Sequence, residues 1–146
     1  MPRPYHPTPG DPTAVFLADG ITGVEDWQAQ AAAHLVDAGA IVLNPRRRSF
    51  PIDDPDQTPA QIRWEHRHLH LPGVLTIFWF PPGSIQPIAL FELGAALDNP
   101  NRVIVIGADP AYPRIADIRW QTGLARPGTT VYLTLSETLA ATHALL

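Results

Sequence analysis

The chain has 146 residues, of which 45% are hydrophobic and 16% charged, and its formal net charge is -4. This length suits one globular domain, and the acidic balance disfavours binding to polymeric nucleic acid. The absence of cysteine excludes disulfides, thiolate metal ligands and cysteine nucleophiles. No apolar run is long enough to span a membrane, and residues 1–12 lack the apolar stretch of a secretory signal. We therefore expect a cytoplasmic protein with no membrane partner.

The first half of the chain carries two apolar segments and a long polar loop. Residues 1–12 are rich in proline and are expected to form a flexible arm. Residues 14–18 and 40–43 are short apolar runs, typical of strands buried on both faces, with a helical pattern from Glu25 to Asp37 between them. The polar loop of residues 46–59 follows and is long enough to act as a lid over a site.

The second half begins with a helix that Thr58 is predicted to cap and that ends near His70. Three further strand patterns follow, each succeeded by a helical one. The strands are predicted at residues 74–80, 103–106 (ended by Gly107) and 130–135, and the helices at residues 87–97, at 114–124 and after Ser136, the predicted cap of the last helix.

Strand and helix alternate five times, which favours a parallel sheet with helices on both faces. With right-handed crossovers, we expect a three-layer, flavodoxin-like α/β domain over residues 13–146, with a five-stranded parallel sheet in the order 2-1-3-4-5. Ligands in such folds bind beyond the carboxyl ends of the strands, at the switch point beside the first strand. The loops after the first three strands should therefore build the site.

Glu92 is the leading candidate for catalysis. It is the one charged residue in the helical segment 87–97, just beyond the third strand. A carboxylate is costly to bury among apolar side chains unless it is paired or used, and the nearby helix N-terminus would favour its ionised form. The alternative is a half-exposed helix carboxylate that faces water.

The segment Phe91-Glu92-Leu93-Gly94-Ala95-Ala96 resembles the nucleoside 2-deoxyribosyltransferase-like families. The resemblance covers residues 14–120 and extends to Val15-Phe16-Leu17-Ala18-Asp19-Gly20, Asn44-Pro45-Arg46-Arg47 and Trp64-Glu65. In those enzymes a Glu before Leu-Gly is the nucleophile that attacks the anomeric carbon, which implies that role for Glu92. The resemblance implies cleavage or transfer at the N-glycosidic bond of a (deoxy)nucleoside, and a homodimer or larger assembly. No cofactor and no metal are expected.

The same resemblance implies roles around the base and the sugar. Glu65 stands where the family has an Asp that handles the leaving base, and its alternative is an exposed helix carboxylate. Asp19, before Gly20, stands where relatives contact the ribose or the nucleophile, or else is a turn residue. Gln86, with Ser84 nearby, replaces the Asp that binds the 5'-hydroxyl in transferases and the Ser that helps bind a 5'-phosphate in nucleotide hydrolases.

The loop after the second strand supplies further candidates. Asn44 belongs to the matching segment, and Arg46 and Arg47 are the better candidates for a phosphate contact. The alternative for these arginines is pairing with Asp53, Asp54 and Asp56 of the same loop. Trp64 adjoins Glu65, so it could stack on a base or pack in the core.

Two other functions stay open at this stage. One is a nucleoside 5'-monophosphate N-glycosidase, which a phosphate requirement would separate from a transferase. The other is a non-catalytic nucleotide-binding or sensor domain, made credible by the departures at Gln86 and Glu65. Dinucleotide-binding folds and serine hydrolases are disfavoured, because the chain has no glycine-rich phosphate loop after the first strand and no Gly-x-Ser-x-Gly elbow.

Overall fold

The computed structural model describes residues 3–18, 23–46 and 57–146, with the backbone alone at residues 57 and 58. Within these ranges, strands and helices alternate along the chain. The strands are β1 (Ala14–Ala18), β2 (Ile41–Leu43), β3 (Leu75–Phe80), β4 (Ile104–Ala108) and β5 (Val131–Tyr132), and the helices are α1 (Trp27–Asp37), α2 (Gln57–Leu69), α3 (Pro87–Leu97), α4 (Ile115–Ala125) and α5 (Leu135–His143).

The five strands form one parallel sheet in the order β2-β1-β3-β4-β5. The predicted α/β fold and strand order are thereby confirmed. In the register of β1 and β3, Phe16 lies beside Thr76 and Ala18 beside Phe78. The chain turns from β1 to one side of the sheet and from β2 to the other, so the switch point lies between β1 and β3.

Alternation along the strands divides the hydrophobic core in two. Phe16, Phe78 and Ile106 point to one side, which α2, α3 and α4 cover and which we call the α2–α4 face. Leu17 and Ile77 point to the other side, which α1 and α5 cover and which we call the α1/α5 face. Each layer of helices therefore has its own set of buried side chains from the same strands.

The predicted end of the fourth strand was wrong. β4 continues through Gly107 to Ala108, because this glycine serves packing rather than termination. A Cβ atom at position 107 would lie 2.0 Å from Oγ1 of Thr138 and 2.8 Å from Cε3 of Trp79. The missing side chain lets α5 pack directly on the sheet.

The start of the last helix also differs from the prediction. β5 is confined to the two residues that pair with β4, and α5 begins at Leu135. Thr134, rather than Ser136, caps the helix, because its extended backbone lets its Oγ1 accept a hydrogen bond from the Glu137 N–H at 3.1 Å.

Residues 3–12 lie against α2 without forming a helix or strand. The Tyr5 N–H donates to Nε2 of His68 at 2.9 Å, and the indole N–H of Trp64 donates to the carbonyl of Arg3 at 3.4 Å. The Tyr5 side chain packs on the core of the α2–α4 face. The flexibility expected of this arm stays a prediction, and residues 1 and 2 lie outside the described part. Among the described residues, no helix combines the length and apolarity needed to cross a bilayer.

Candidate active site

The loop between β3 and α3 ends in a residue with an unusual backbone conformation, immediately before the helix that carries Glu92. Gln86 precedes the helix and has a left-handed backbone conformation, with φ 52° and ψ 62°. Residues other than glycine adopt this conformation at an energetic cost. Its side chain is nevertheless buried, with 4% of its surface exposed. The hydroxyl of Tyr112 donates a hydrogen bond to the carbonyl of Ile85, which fixes the residue next to Gln86. Backbone strain is therefore held in place immediately before α3.

Glu92 lies in the second turn of α3 and is half-buried. The pKa of its carboxyl is raised from 4.5 to about 7, mainly by burial and next by the negative charge of Glu65, while the positive charge of Arg102 acts in the opposite direction. The carboxyl therefore exists in both protonation states near neutral pH. Groups that titrate in this range suit proton transfer and nucleophilic catalysis.

Glu65 reaches the same region from α2 and is held there by Gln61. Nε2 of Gln61 donates to Oε1 of Glu65 at 2.6 Å and to the carbonyl of Pro45 at 3.2 Å. Gln61 is buried, with 5% of its surface exposed. Sequence analysis missed Gln61, although its position four residues before Glu65 on a predicted helix is a usable signal.

Two arginines near the end of α3 were also missed. Arg102, which precedes β4, is half-buried, and its Nη2 atom has no hydrogen-bond partner among the described residues. Burial lowers the pKa of its guanidinium, while the charge of Glu92 opposes that effect. Arg126, at the end of α4, donates to the carbonyls of Ala96, Leu97, Asn99 and Arg102. It closes the C-terminus of α3 and places a second positive charge near Arg102.

The structure turns Arg46 toward the residues that precede α1. Its backbone N–H donates to Oδ1 of Asn44 at 2.9 Å, and its guanidinium donates to the carbonyls of Glu25 at 3.0 Å and Val24 at 3.3 Å. The guanidinium Nε also lies 3.6 Å from Oδ1 of Asp26. Arg46 thus ties the segment after β2 to the start of α1. The alternative pairing with Asp53, Asp54 and Asp56, and the role of Arg47, concern residues outside the described ranges.

The other predicted site residues fall in different surroundings. Trp64 packs in the core against Phe16 and His68, and only 6% of its surface is exposed, which leaves little area for stacking on a base. Ser84 is half-buried in the loop after β3, two residues before Gln86. Asp19 and Gly20 lie outside the described residues, so their predicted contacts have no counterpart in the structure.

The structure thus brings two carboxyl groups, Glu65 of α2 and Glu92 of α3, within electrostatic reach of each other. A model of the family described as nucleoside 2-deoxyribosyltransferase like matches residues 12–110. The chain belongs to the nucleoside 2-deoxyribosyltransferase-like family. The match spans β1 to β4 and includes both Glu65 and Glu92, which confirms the resemblance. A search of curated proteins found no match.

Membership of the nucleoside 2-deoxyribosyltransferase-like family implies a nucleoside-type ligand and an enzyme class related to glycosyl transfer. A cavity of about 580 Å³ lies on the α1/α5 face, and its wall includes Trp27, Trp79 and Asp109. Neither Glu65 nor Glu92 lines this cavity. We place the candidate site at the two carboxylates instead, because burial and the charge of Glu65 raise the pKa of Glu92.

Proposed function

We propose that this protein cleaves or transfers at the N-glycosidic bond of a (deoxy)nucleoside, with Glu92 as the nucleophile. The observation that carries the proposal is the half-buried Glu92 carboxyl, in the second turn of the helix that follows β3 and within the electrostatic reach of Glu65. Membership of the family supports a nucleoside as the ligand. Breaking the N-glycosidic bond leaves positive charge on the anomeric carbon, and a carboxylate can bond to that carbon. This chemistry supports the role of Glu92.

The proposed reaction proceeds in two steps. In the first, an Oε atom of ionised Glu92 bonds to C1' while the C1'–N bond breaks, and Glu65 donates a proton to the departing base. The product is a glycosyl ester, as in retaining glycosidases. In the second step, the ester is attacked at C1' by another base, which gives transfer, or by water, which gives hydrolysis. Glu65, left as an anion by the first step, takes the proton that the attacking base or water loses. The carboxylate of Glu92 is regenerated in either case.

The remaining candidates have proposed roles around the sugar. Gln86 and Ser84, at the start of α3, contact its 5' end, and the amide of Gln86 suits a hydroxyl or a phosphate oxygen. Asp19, Gly20 and Asn44 contact the ribose, and Arg46 approaches a 5'-phosphate where the substrate has one. Trp64 supports α2 beneath Glu65 from within the core. The expected cytoplasmic location stays a prediction.

A homodimer or larger assembly is part of the proposal, because α3 and α4 leave a broad apolar surface uncovered. Phe91 and Trp120 are 77% and 74% exposed, and Ile88 and Leu124 are also largely exposed. The outer face of α3 carries no charged side chain apart from Glu92 at its margin. Gly94 lies on the same face, and a Cβ atom there would meet nothing within 4 Å. A helix that is apolar on nearly every side is normally covered.

A second copy of the chain is the proposed cover. The apolar stripes of α3 and α4 are neighbours, since the carbonyls at the end of α3 accept hydrogen bonds from Arg126 at the end of α4. An uncharged surface with both large and small residues is compatible with itself across a twofold axis. Sedimentation should show an oligomer that Trp120→Lys dissociates and that Val36→Lys, on the exposed side of α1, leaves intact. A monomeric wild-type protein would refute this part of the proposal.

The central test of the function measures free base released from a panel of deoxynucleosides, ribonucleosides and their 5'-monophosphates. The wild-type protein should release base from at least one class, and Glu92→Gln should lower the rate at least ~1,000-fold. Glu25→Gln, which removes an exposed carboxylate near α1, is the matched control and should keep the wild-type rate. Full activity in Glu92→Gln would refute the nucleophile assignment.

The same panel separates the related functions. Exchange of one base for another without free sugar indicates a transferase, whereas free sugar indicates a hydrolase. Release from monophosphates alone indicates a 5'-monophosphate N-glycosidase. Ligand binding without release from any substrate would refute the enzymatic proposal in favour of a sensor. Intact-mass measurement during turnover should detect the glycosyl ester on the wild-type chain and no ester on Glu92→Gln.

A further inference from the structure

We propose that Gln61 is a positioning residue that keeps Glu65 ionised, so that Glu92, rather than Glu65, carries a proton until the substrate binds. The catalytic consequence of this inference rests on the proposed function. The placement of the proton does not, because it is a property of the free protein.

The orientation of the Gln61 amide follows from its partners. The carbonyl of Pro45 can only accept a hydrogen bond, so the amide atom 3.2 Å from it must be the nitrogen. The same Nε2 lies 2.6 Å from Oε1 of Glu65. An amide nitrogen carries two hydrogens, and one is therefore available for each of these acceptors. The contact with Pro45 therefore establishes that the Gln61 atom next to Glu65 is the amide nitrogen, a hydrogen-bond donor, and not the amide oxygen.

The burial of Gln61 makes this contact selective for one protonation state. With 5% of its surface exposed, Gln61 cannot readily replace a lost partner with water. An N–H donor forms a stronger hydrogen bond with an ionised carboxylate than with a neutral carboxyl group. The link also joins α2 to the segment after β2 through Pro45, which restricts the position of the Glu65 carboxylate. Gln61 therefore favours ionised Glu65 in a fixed place.

The surroundings of Glu92 favour the opposite state. Its carboxyl is half-buried on an apolar helix, and Glu65 contributes a negative charge from α2. The opposing charge is that of Arg102, which precedes β4. Arg126, at the end of α4, adds a positive charge that acts on Arg102. Burial and Glu65 outweigh Arg102, since the pKa of Glu92 is raised to about 7. Of the two carboxyls, Glu92 consequently holds the proton in mildly acidic to neutral solution.

One proton is enough for the complete first step. Before the step, Glu92 is a neutral acid, Glu65 is an anion and the nucleoside is neutral. Glu92 passes its proton to Glu65, and its freed Oε atom forms a bond to C1' as the C1'–N bond breaks. Glu65 then gives the proton to the base nitrogen that receives the bonding electron pair. Glu92 ends as a neutral ester, the base leaves neutral, and Glu65 is again an anion.

The test follows the two carboxyl groups by ¹³C NMR as the pH is varied in the free protein. In the wild-type chain, Glu65 should titrate below Glu92. In Gln61→Leu, which removes both donors at similar volume, Glu65 should titrate about one pH unit higher. Gln30→Leu, an exposed glutamine on α1, should leave both titrations unchanged. If Gln61→Leu does not fold, Gln61→Asn, whose shorter amide cannot reach both acceptors, takes its place.

Two results would overturn the proposal: Glu65 titrating above Glu92 in the wild-type chain, or a Glu65 titration that is the same in the wild-type chain and in the folded Gln61 variant. Kinetics tests the catalytic consequence. Loss of Gln61 should lower kcat by ~100-fold, change KM less and move the pH profile in step with the NMR titrations. An unmoved profile would refute that consequence. If no substrate is cleaved, the proposed function fails while the NMR result still decides where the proton lies.

Discussion

On the α1/α5 face, α5 satisfies its buried hydroxyls locally: Oγ1 of Thr138 donates to the Thr134 carbonyl at 2.8 Å, and Oγ1 of Thr142 donates to the Thr138 carbonyl at 2.9 Å. On the α2–α4 face, Glu92 is a half-buried acid, Gln86 is buried in a left-handed conformation, and Nη2 of Arg102 lacks a partner among the described residues. The comparison has one exception, since Nε2 of Gln28 on α1 also lacks such a partner.

The difference between the faces indicates where the fold tolerates unfavourable features. Desolvated charge and strained backbone are destabilising, and proteins retain them mainly where binding or chemistry uses them. Both features lie close to the carboxyl pair. The packing of α5 on the sheet shows that the same chain builds ordinary close packing elsewhere. Gly107→Ala on the α1/α5 face and Glu92→Gln on the α2–α4 face should therefore have stability effects of opposite sign.

The largest expected effect is on the α1/α5 face. Gly107→Ala should lower the free energy of unfolding by about 3 kcal/mol, because the added Cβ would overlap Oγ1 of Thr138 and Cε3 of Trp79. Thermal denaturation would show this as a Tm about 10 °C lower. The double variant Gly107→Ala/Thr138→Ala should recover part of the loss, since it removes the closest overlapping atom. An unchanged Tm in Gly107→Ala would contradict the packing described for α5.

Glu92→Gln should stabilise the protein, and only at higher pH. The pKa of Glu92 is raised in the folded state, so its stabilising contribution is present below pH 4.5 and is lost as the pH rises through about 7. At pH 8 the variant, which has no carboxyl to ionise, should be about 3 kcal/mol more stable than the wild type. At pH 4 the difference should nearly vanish. Urea denaturation at both pH values measures it, and a difference that does not change with pH would contradict the raised pKa.

A smaller gain is expected on the outer side of α3. Gly94→Ala should stabilise the folded chain by about 1 kcal/mol, because glycine inside a helix is less favourable than alanine and the added Cβ has open space. Denaturation at low protein concentration isolates this effect from assembly. If a second copy covers α3, the same variant should also weaken the oligomer in sedimentation. A loss of stability at low concentration would show that Gly94 has a packing role within the chain.

The smallest effect concerns the N-terminal arm. Burial lowers the pKa of His68, so its contribution to stability is present above pH 6.5 and is lost as the pH falls through its lower folded value. Protonated Nε2 can no longer accept the Tyr5 N–H, which is bonded to it at 2.9 Å. Hydrogen exchange at the Tyr5 amide, corrected for intrinsic rates, should therefore accelerate in acid, while the Leu90 amide in α3 serves as the reference. Equal protection of Tyr5 across this range would contradict the anchoring role of His68.

Features that depend on short stretches of residues were largely predictable. The apolar runs and turn residues predicted the order of strands and helices, and the single charged residue of α3 predicted a carboxylate held among apolar side chains. The errors at Gly107 and Ser136 have a common cause. Whether a glycine ends a strand or lies under a helix, and which hydroxyl caps a helix, depends on the position of α5 against β4 and β5, which short patterns do not encode.

The sequence by itself predicted the fold class, the strand order and the helices that carry Glu65 and Glu92, because periodic burial and right-handed connections leave few arrangements for a parallel sheet. Only the tertiary structure decided that Gln61 bonds Glu65, that the charge of Arg102 reaches Glu92, that Arg46 turns toward α1 and that Trp64 faces the core. Each of these depends on distances between elements remote in the chain. Hydrogen bonds, desolvation and charge effects change over a few ångströms, which residue spacing alone does not specify.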